Sequence, residues 1–496
     1  MKKIFYILVA ASMAFVACQK QSVEPQFSVK ETDHGTYIYT IKASTDGLEP
    51  EVKSDYDASG HFSWSAGDAI SVLFHKGDEN KFFTLTTTGT GASADFSGEI
   101  EAGYEIGASD GSVSDKKIWA LFPASAGHAY ATGSNPSFFL NPETDYTAPG
   151  AYFSANMPMY DLLAAEGTLH FKNLCSGYKI TFSNIASTVN TVMVKVDNNA
   201  KTYKMSGLIP IGTDSSEYKL DPAWGDAGAA RILTYIANVD KVKNSVVVYV
   251  PTRRGTNYFQ PVIELYDYIT GNLIIKKTAS SSKPTPARGS VQQLTIDTEN
   301  ATGAAPSFTS AFSISWAGVS DSVSGSSDTA GSYNNAVRVF KAKADDSYLY
   351  VYFEIDKDAL LTDGQYEYAN SLDVYLGNGE SASSSWMWDA ATKYTKHPFA
   401  CWLTKNGSAE VNSWESVYAG SGSNGGHAER WGKYFYYEVK LKRSYDACMQ
   451  VAGTLNLGLV INNEKYHGGP STSEYLYVPS NGNPMLQITA PTYVAP

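Results

Sequence analysis

Trp386, Trp388, Trp414 and Trp431 fall within one stretch of the chain, with His397 among them and Arg430 beside the last. A sugar ring presents apolar C–H faces rimmed by hydroxyls. An exposed indole plate with amide, carboxylate or guanidinium groups nearby is what such a ring needs. Trp386 and Trp388 are two residues apart, so on a strand both face the same side. The residue between them is Met387, which equally fits burial of one or both. Trp431 stands between Arg430 and Gly432, after the glycine-rich stretch 420–426. Trp402, in the apolar run Phe399 to Leu403, and Trp316 read as packing residues. Two readings of these six tryptophans stay open. Either residues 380–431 carry a ligand-binding surface, or all six close a large sandwich core.

Other chemistry is sparse. Residues 107–111 (GASDG) match the bare G-x-S-x-G pattern around Ser109. A nucleophile elbow needs a strand before and a helix after, whereas polar turn residues flank this one. The eight histidines are scattered, and no calcium loop or phosphate-cradling glycine loop is present. We therefore expect no enzyme, no catalytic residues and no cofactor. Asp345, Asp346 and Asp356 can either hold a structural calcium or close hairpin turns. The net charge of −12 excludes nucleic acid as a partner. Of the four cysteines, Cys401 and Cys448 can pair in oxidising surroundings, although their spacing does not demand it. Cys175 sits in an apolar run and reads as a small buried hydrophobe.

The elements that position these residues read as strands. Residues 37–42 (YIYTIK), 69–74 (AISVLF), 117–122 (KIWALF), 178–182, 191–196, 245–250 and 260–266 are short, β-branched or aromatic, and bounded by turn residues. Aromatic content is 13%, charged content only 18%, and capped helical periodicity is nearly absent. The expected fold is all-β, built of several sandwiches: residues 28–168, residues 169–297, a small polar linker at 298–307, and residues 308–496.

The first residues have a different character. Lys2 and Lys3 precede an apolar run from Ile4 to Val16, too short to cross a bilayer. The run ends in Ala17-Cys18, which resembles the lipobox of bacterial lipoproteins. That resemblance implies a signal peptide at 1–17, acylation of Cys18 with palmitate-type chains, a tether at 18–27, and anchoring in the outer membrane, at the cell surface.

Residues 62–72 (FSWSAGDAISV) resemble the W-x-x-G-D-x-I-x-V turn of the fimbrillin-like lipoproteins of Bacteroidetes. Met157 to Asp161 and residues 169–182 (LHFKNLCSGYKITF) are similar to later landmarks of the same family. The resemblance covers residues 28–297 and implies two transthyretin-like sandwiches, a role in adhesion, and other fimbrial subunits as partners. In some members an arginine-specific protease removes the first strand. Here the first arginine is Arg231, which rules out that cleavage near the first strand and favours a terminal, anchoring or non-fimbrial role. Residues 345–356 (DDSYLYVYFEID), 371–376 and 434–441 resemble the strands of family-9-like carbohydrate-binding modules over residues 308–490. This implies a carbohydrate-binding β-sandwich, with Trp386, Trp388, Trp414, Arg430 and Trp431 as ligand-binding residues. Asp321-Ser322-Val323 and Asp328-Thr329-Ala330 look like the O-glycosylation acceptor of the Bacteroidetes, a short pattern that chance also produces. The function expected is a non-catalytic surface adhesin with a distal glycan-binding head. The alternatives are a glycan-capture lipoprotein of a polysaccharide-uptake system, or a protein-binding adhesin with no sugar site.

Overall fold

The computed structural model describes residues 27–44, 63–107, 117–124, 128–129, 137–140, 143–147, 159–164, 168–173, 176–199, 207–210, 232–252, 259–281, 291–320, 337–356, 358, 370–377, 394–403, 425–445, 449–450, 452–463, 475–478 and 486–495. These residues form strands, turns and short 3-10 turns such as Arg443–Tyr445, and the fold is all-β as the sequence predicts. No helix among them is long and apolar enough to cross a membrane. The described chain divides into two compact units.

The first unit is a curled sheet. Its order runs Phe27–Glu31, Tyr37–Ser44, Ser93–Ile100, Glu79–Thr86, Ala69–Lys76, Lys117–Phe122 and Met159–Ala164. Strand Ala69–Lys76 is buried over five consecutive residues, so it lies centrally. Strand Ser93–Ile100 alternates at its start, burying Ala94 and Phe96 while its neighbours meet solvent. Trp64 lies at the centre of this core, with Phe96, Phe122 and Phe171 edge-on to it at 4.9, 5.3 and 5.4 Å. The turn that places it depends on Gly67, whose φ of +95° suits a residue without Cβ, and on Asp68, whose carboxylate accepts the Ser65 amide at 2.8 Å.

The second unit contains two sandwiches. The middle sandwich of the chain faces a five-stranded sheet (Glu143–Tyr146, Ile232–Asn238, Thr191–Asn198, Pro261–Asp267, Leu273–Thr278) against a three-stranded one (Val246–Thr252, Ser176–Ser183, Val291–Asp297). Their inner faces share one core, which includes Ile180, Phe182, Val194, Val196, Val248 and Leu265. The C-terminal sandwich has a four-stranded sheet in the order Val337–Ala344, Tyr348–Asp356, Tyr434–Lys442, Gly425–Trp431. Its other sheet contains Tyr394–Leu403, Asn370–Gly377, Gly453–Asn463, Tyr475–Val478 and Leu486–Ala490.

The boundaries differ from the expected ones. Strand Glu143–Tyr146 pairs with Ile232–Asn238, and Tyr146 stacks on Tyr235 at 5.7 Å inside the middle core, although residues up to 168 were assigned to the first sandwich. Conversely, Leu169 and Phe171 lie in the first core, and Leu169–His170 pairs with Tyr37–Ser44. Neither exchange leaves a compositional mark, because each rests on very few buried side chains, Tyr146 in the polar strand ETDY on one side and Leu169 and Phe171 on the other. The polar segment 298–307 is no free linker either. Asn300 donates its amide to Asn184 O at 2.8 Å, and Leu273 and Ala304 exchange two backbone hydrogen bonds at 2.9 and 3.2 Å. Its small residues permit this close backbone approach as well as they would permit flexibility.

Candidate functional site

Arg430 and Trp431 end the strand Gly425–Trp431, which turns through Gly432 and Lys433 into Tyr434–Lys442. Gly432 has φ +60°, the left-handed backbone that a two-residue hairpin loop wants at its first position. Successive residues then face opposite sides of the sheet. Arg430 turns inward, 6% exposed, donating Nε–H to Gly432 O at 3.2 Å with its guanidinium 5.0 Å from the Phe435 ring. Trp431 turns outward, yet it is only 7% exposed, because the middle sandwich covers it. It packs with Met193, Ile236, Tyr266 and Tyr268, and its ring lies 4.3 Å from that of Tyr436.

The two backbones meet tightly around this indole. The Lys433 amide donates to Tyr268 O at 3.0 Å. A Cβ on Gly432 would stand 2.4 Å from the same oxygen, and one on Gly271 would stand 3.1 Å from Trp431 O. Tyr268 in turn donates its hydroxyl to Asp358 Oδ1 at 2.6 Å. Beside the apolar patch, Lys195 sits 3.7 Å from Glu264 and 3.6 Å from Glu429, so it bridges carboxylates of both sandwiches. Glu264 also accepts from Lys276 Nζ at 2.6 Å and from the Tyr266 hydroxyl at 2.9 Å. Burial raises the Glu264 carboxyl, but Lys195, Lys276 and Tyr266 outweigh it and hold the group below its ordinary value. Burial first, and then Glu264, pushes the Tyr266 phenol upward.

Arg430 and Trp431 are therefore not an exposed sugar-binding pair. The strand's alternation buries the arginine, and a surface built from residues 193–268 buries the tryptophan. Reading 425–432 alone cannot reveal a cover that comes from so far away in sequence. Gly432, Gly271 and Tyr268 were missed for the same reason. A glycine inside a hairpin was the one available signal.

Trp316 behaves as a packing residue. It stacks on Tyr352 at 5.4 Å and donates Nε1–H to Glu438 Oε1 at 2.7 Å. The second Glu438 oxygen accepts the Ala311 amide at 2.9 Å, which straps residues 308–316 across the sheet. Tyr348 and Tyr434 on that sheet are half-buried, and each carries a cation over its ring: Lys440 at 3.9 Å and Arg338 at 4.0 Å.

Of the two readings of Asp345, Asp346 and Asp356, turn closure fits their partners. Asp345 accepts the Ser347 and Tyr348 amides at 2.9 and 2.6 Å, Asp346 accepts the Ser347 hydroxyl, and Asp356 pairs with Lys433 at 2.8 Å. Asp345 and Asp356 also lie at opposite ends of strand Tyr348–Asp356, about 26 Å apart, so one ion cannot join them. No group of three metal-ligating side chains occurs among the described residues.

Trp386, Trp388 and Trp414 lie outside the described residues, as do Cys18, Cys175, Cys448, Ser109, Ser322 and Thr329. Trp402 and Cys401 lie in strand Tyr394–Leu403, whose backbone pairs them with Ser371 and Leu372. In sequence, Trp386 and Trp388 fall between Gly377 and Tyr394, and Trp414 follows Leu403. Gly377 pairs with Tyr394, and Asn370 with Leu403.

No family model and no curated protein matches this sequence. Among solved structures the chain resembles surface proteins and a sugar-binding module. A candidate cell adhesion protein from Bacteroides ovatus is 14% identical, over 48% of this chain and 84% of that one, with a TM-score of 0.28. A family-9 carbohydrate-binding module from Caldicellulosiruptor kristjanssonii, solved with cellotriose, is 12% identical over 36% and 86%, with a TM-score of 0.21. The tip fimbrial protein Mfa3 from Porphyromonas gingivalis is 8% identical over 48% and 79%, with a TM-score of 0.20.

Proposed function

We propose that this chain is a non-catalytic cell-surface protein of adhesin type, anchored through a lipid on Cys18, with a glycan-binding head in its C-terminal sandwich. The observation that carries this reading is the docking of that sandwich on the middle one. Trp431, the Gly432–Tyr268 contact and the Lys195 bridge hold the two together, so the middle sandwich acts as a support for its neighbour rather than a loosely tethered domain. A supported domain presents its loops in a defined orientation, which suits weak, multivalent capture. With Arg430 and Trp431 assigned to the interface, the ligand plates of this proposal are Trp386, Trp388 and Trp414.

The anchor is tested by Cys18→Ser, which should leave the protein unprocessed or soluble; unchanged membrane retention would exclude lipidation. The head is tested with the full chain lacking residues 1–18, because residues 308–496 alone would bare the Trp431 surface. A glycan array should show binding that Trp386→Ala or Trp388→Ala weakens at least tenfold, as expected from losing one stacking plate. If no glycan binds, a protein-binding adhesin becomes the better account.

A further inference from the structure

Among the described residues the middle sandwich is open along one side. Strand Val291–Asp297 is an edge strand that pairs in parallel with Ser176–Ser183, setting Gln292 beside Tyr178, Leu294 beside Ile180, and Ile296 beside Phe182. Paired residues share a face, and Ile180 and Phe182 face the core, so Gln292, Leu294 and Ile296 face it too. Ile296 is 5% exposed, whereas Leu294 is 38% exposed at an equivalent position. On the opposing sheet the edge strand Leu273–Thr278 sets Lys277 beside the core residue Ile263, which turns Lys277 inward as well. The two edges bound a cavity of about 890 Å³ that reaches Ile180, Val196, Val250 and Ile263. This volume falls in the range of pockets that hold small organic ligands.

The charges along this cavity differ from end to end. Lys276 faces away and pairs with Glu264, but Lys277 has no carboxylate partner among the described residues and is the one cation among the described lining residues. Gln292 lies at the same end. Its neighbour Tyr178 stacks on Phe259 at 5.3 Å, and Ala279, two residues from Lys277, donates its amide to Pro261 O at 2.9 Å. Asp297 and Glu299 stand at the far end, and the Asp297 carboxylate is held in its charged form by the Glu299 amide and Asn184. By strand alternation Asp297 lies on the outer face, so these carboxylates rim the far mouth without entering the cavity, and an anion is favoured at the Lys277 end.

We infer that this cavity is a binding site for a small amphiphile with a single anionic head. The head, a carboxylate or sulfate, pairs with Lys277 and Gln292, and an elongated apolar body lies against Val196, Ile263 and Leu294. Such a site is independent of the proposed glycan-binding head.

The test is calorimetric titration of the full chain lacking residues 1–18 with dodecanoate below its micelle concentration, beside dodecanol and dodecanedioate. Dodecanoate should bind one to one, more tightly than either control: dodecanol lacks the charge, and the diacid places a second anion near Asp297. Lys277→Gln, at an exposed position that leaves the core intact, should weaken dodecanoate by about tenfold or more and leave dodecanol unchanged. Leu294→Glu should weaken both chains, with thermal unfolding checked alongside. The inference is overturned if dodecanoate does not bind, if it binds no better than dodecanol, or if Lys277→Gln leaves its affinity unchanged. An extended peptide that binds and protects the amides of Val291–Asp297 while dodecanoate does not would identify a strand-docking edge instead.

Discussion

Truncating Trp431 to alanine separates the two roles this residue could have. Trp431 is 7% exposed, and an aromatic side chain buried to that extent withdraws about 150–250 Å² from water. At about 25 cal/mol per Å² this is worth roughly 4–6 kcal/mol, an upper bound because unfolded chains already bury some apolar surface. Measured losses for buried Trp→Ala changes run about 3–5 kcal/mol, and that is the expected cost here. The loss should fall on the coupling between two sandwiches, since Met193, Ile236, Tyr266 and Tyr268 belong to the middle one. Scanning calorimetry of the full chain lacking residues 1–18 should then show the middle and C-terminal sandwiches melting apart, whereas those of the parent chain should melt together. Trp431→Phe should keep most of the coupling by refilling the patch. Glycan affinity, measured well below the melting range, should stay unchanged. A stability loss under about 1 kcal/mol with glycan binding abolished would refute this reasoning and return Trp431 to the role of an exposed plate.

Three further outcomes follow from the same geometry. Gly432→Ala, with its Cβ 2.4 Å from Tyr268 O and φ at +60°, should cost well above the roughly 1 kcal/mol of Gly67→Ala, whose Cβ would meet nothing within 4 Å; urea unfolding compares the two. Glu438→Ala removes the acceptor of Trp316 and Ala311, each a bond to a charged group worth about 1.5–3 kcal/mol, and limited proteolysis should then cut within 308–316. Glu264 is held below its ordinary value of 4.5 in the folded protein, so it contributes stability that is present above pH 4.5 and is lost as pH falls through the folded value. Denaturant midpoints of Glu264→Gln and the parent chain should therefore converge below pH 4.5; a gap of constant size at every pH would contradict the ion-pair assignment.

Much of this architecture is legible in the order of residues. Strands such as Ala69–Lys76 and Tyr434–Lys442 follow from β-branched and aromatic runs between turn residues, because side-chain alternation and turn chemistry are local properties. The turn at Gly67-Asp68 is readable for the same reason. What the sequence did not contain is which surface lies against which. Strand Glu143–Tyr146 crosses into the middle core, and Leu169 and Phe171 remain in the first, although composition places both the other way. Arg430 and Trp431 carry the residue types of a sugar site. One is turned into a core by strand parity, and the other is covered by side chains more than 160 positions away. Lys277 is the converse case. In the run Leu273 to Thr278 it looks like a solvated lysine, and only its register against Ile263 turns it toward an open core. Local sequence determined the strands and turns, whereas the pairing of distant strands and faces decided which of their residues meet solvent, a partner sheet or a ligand.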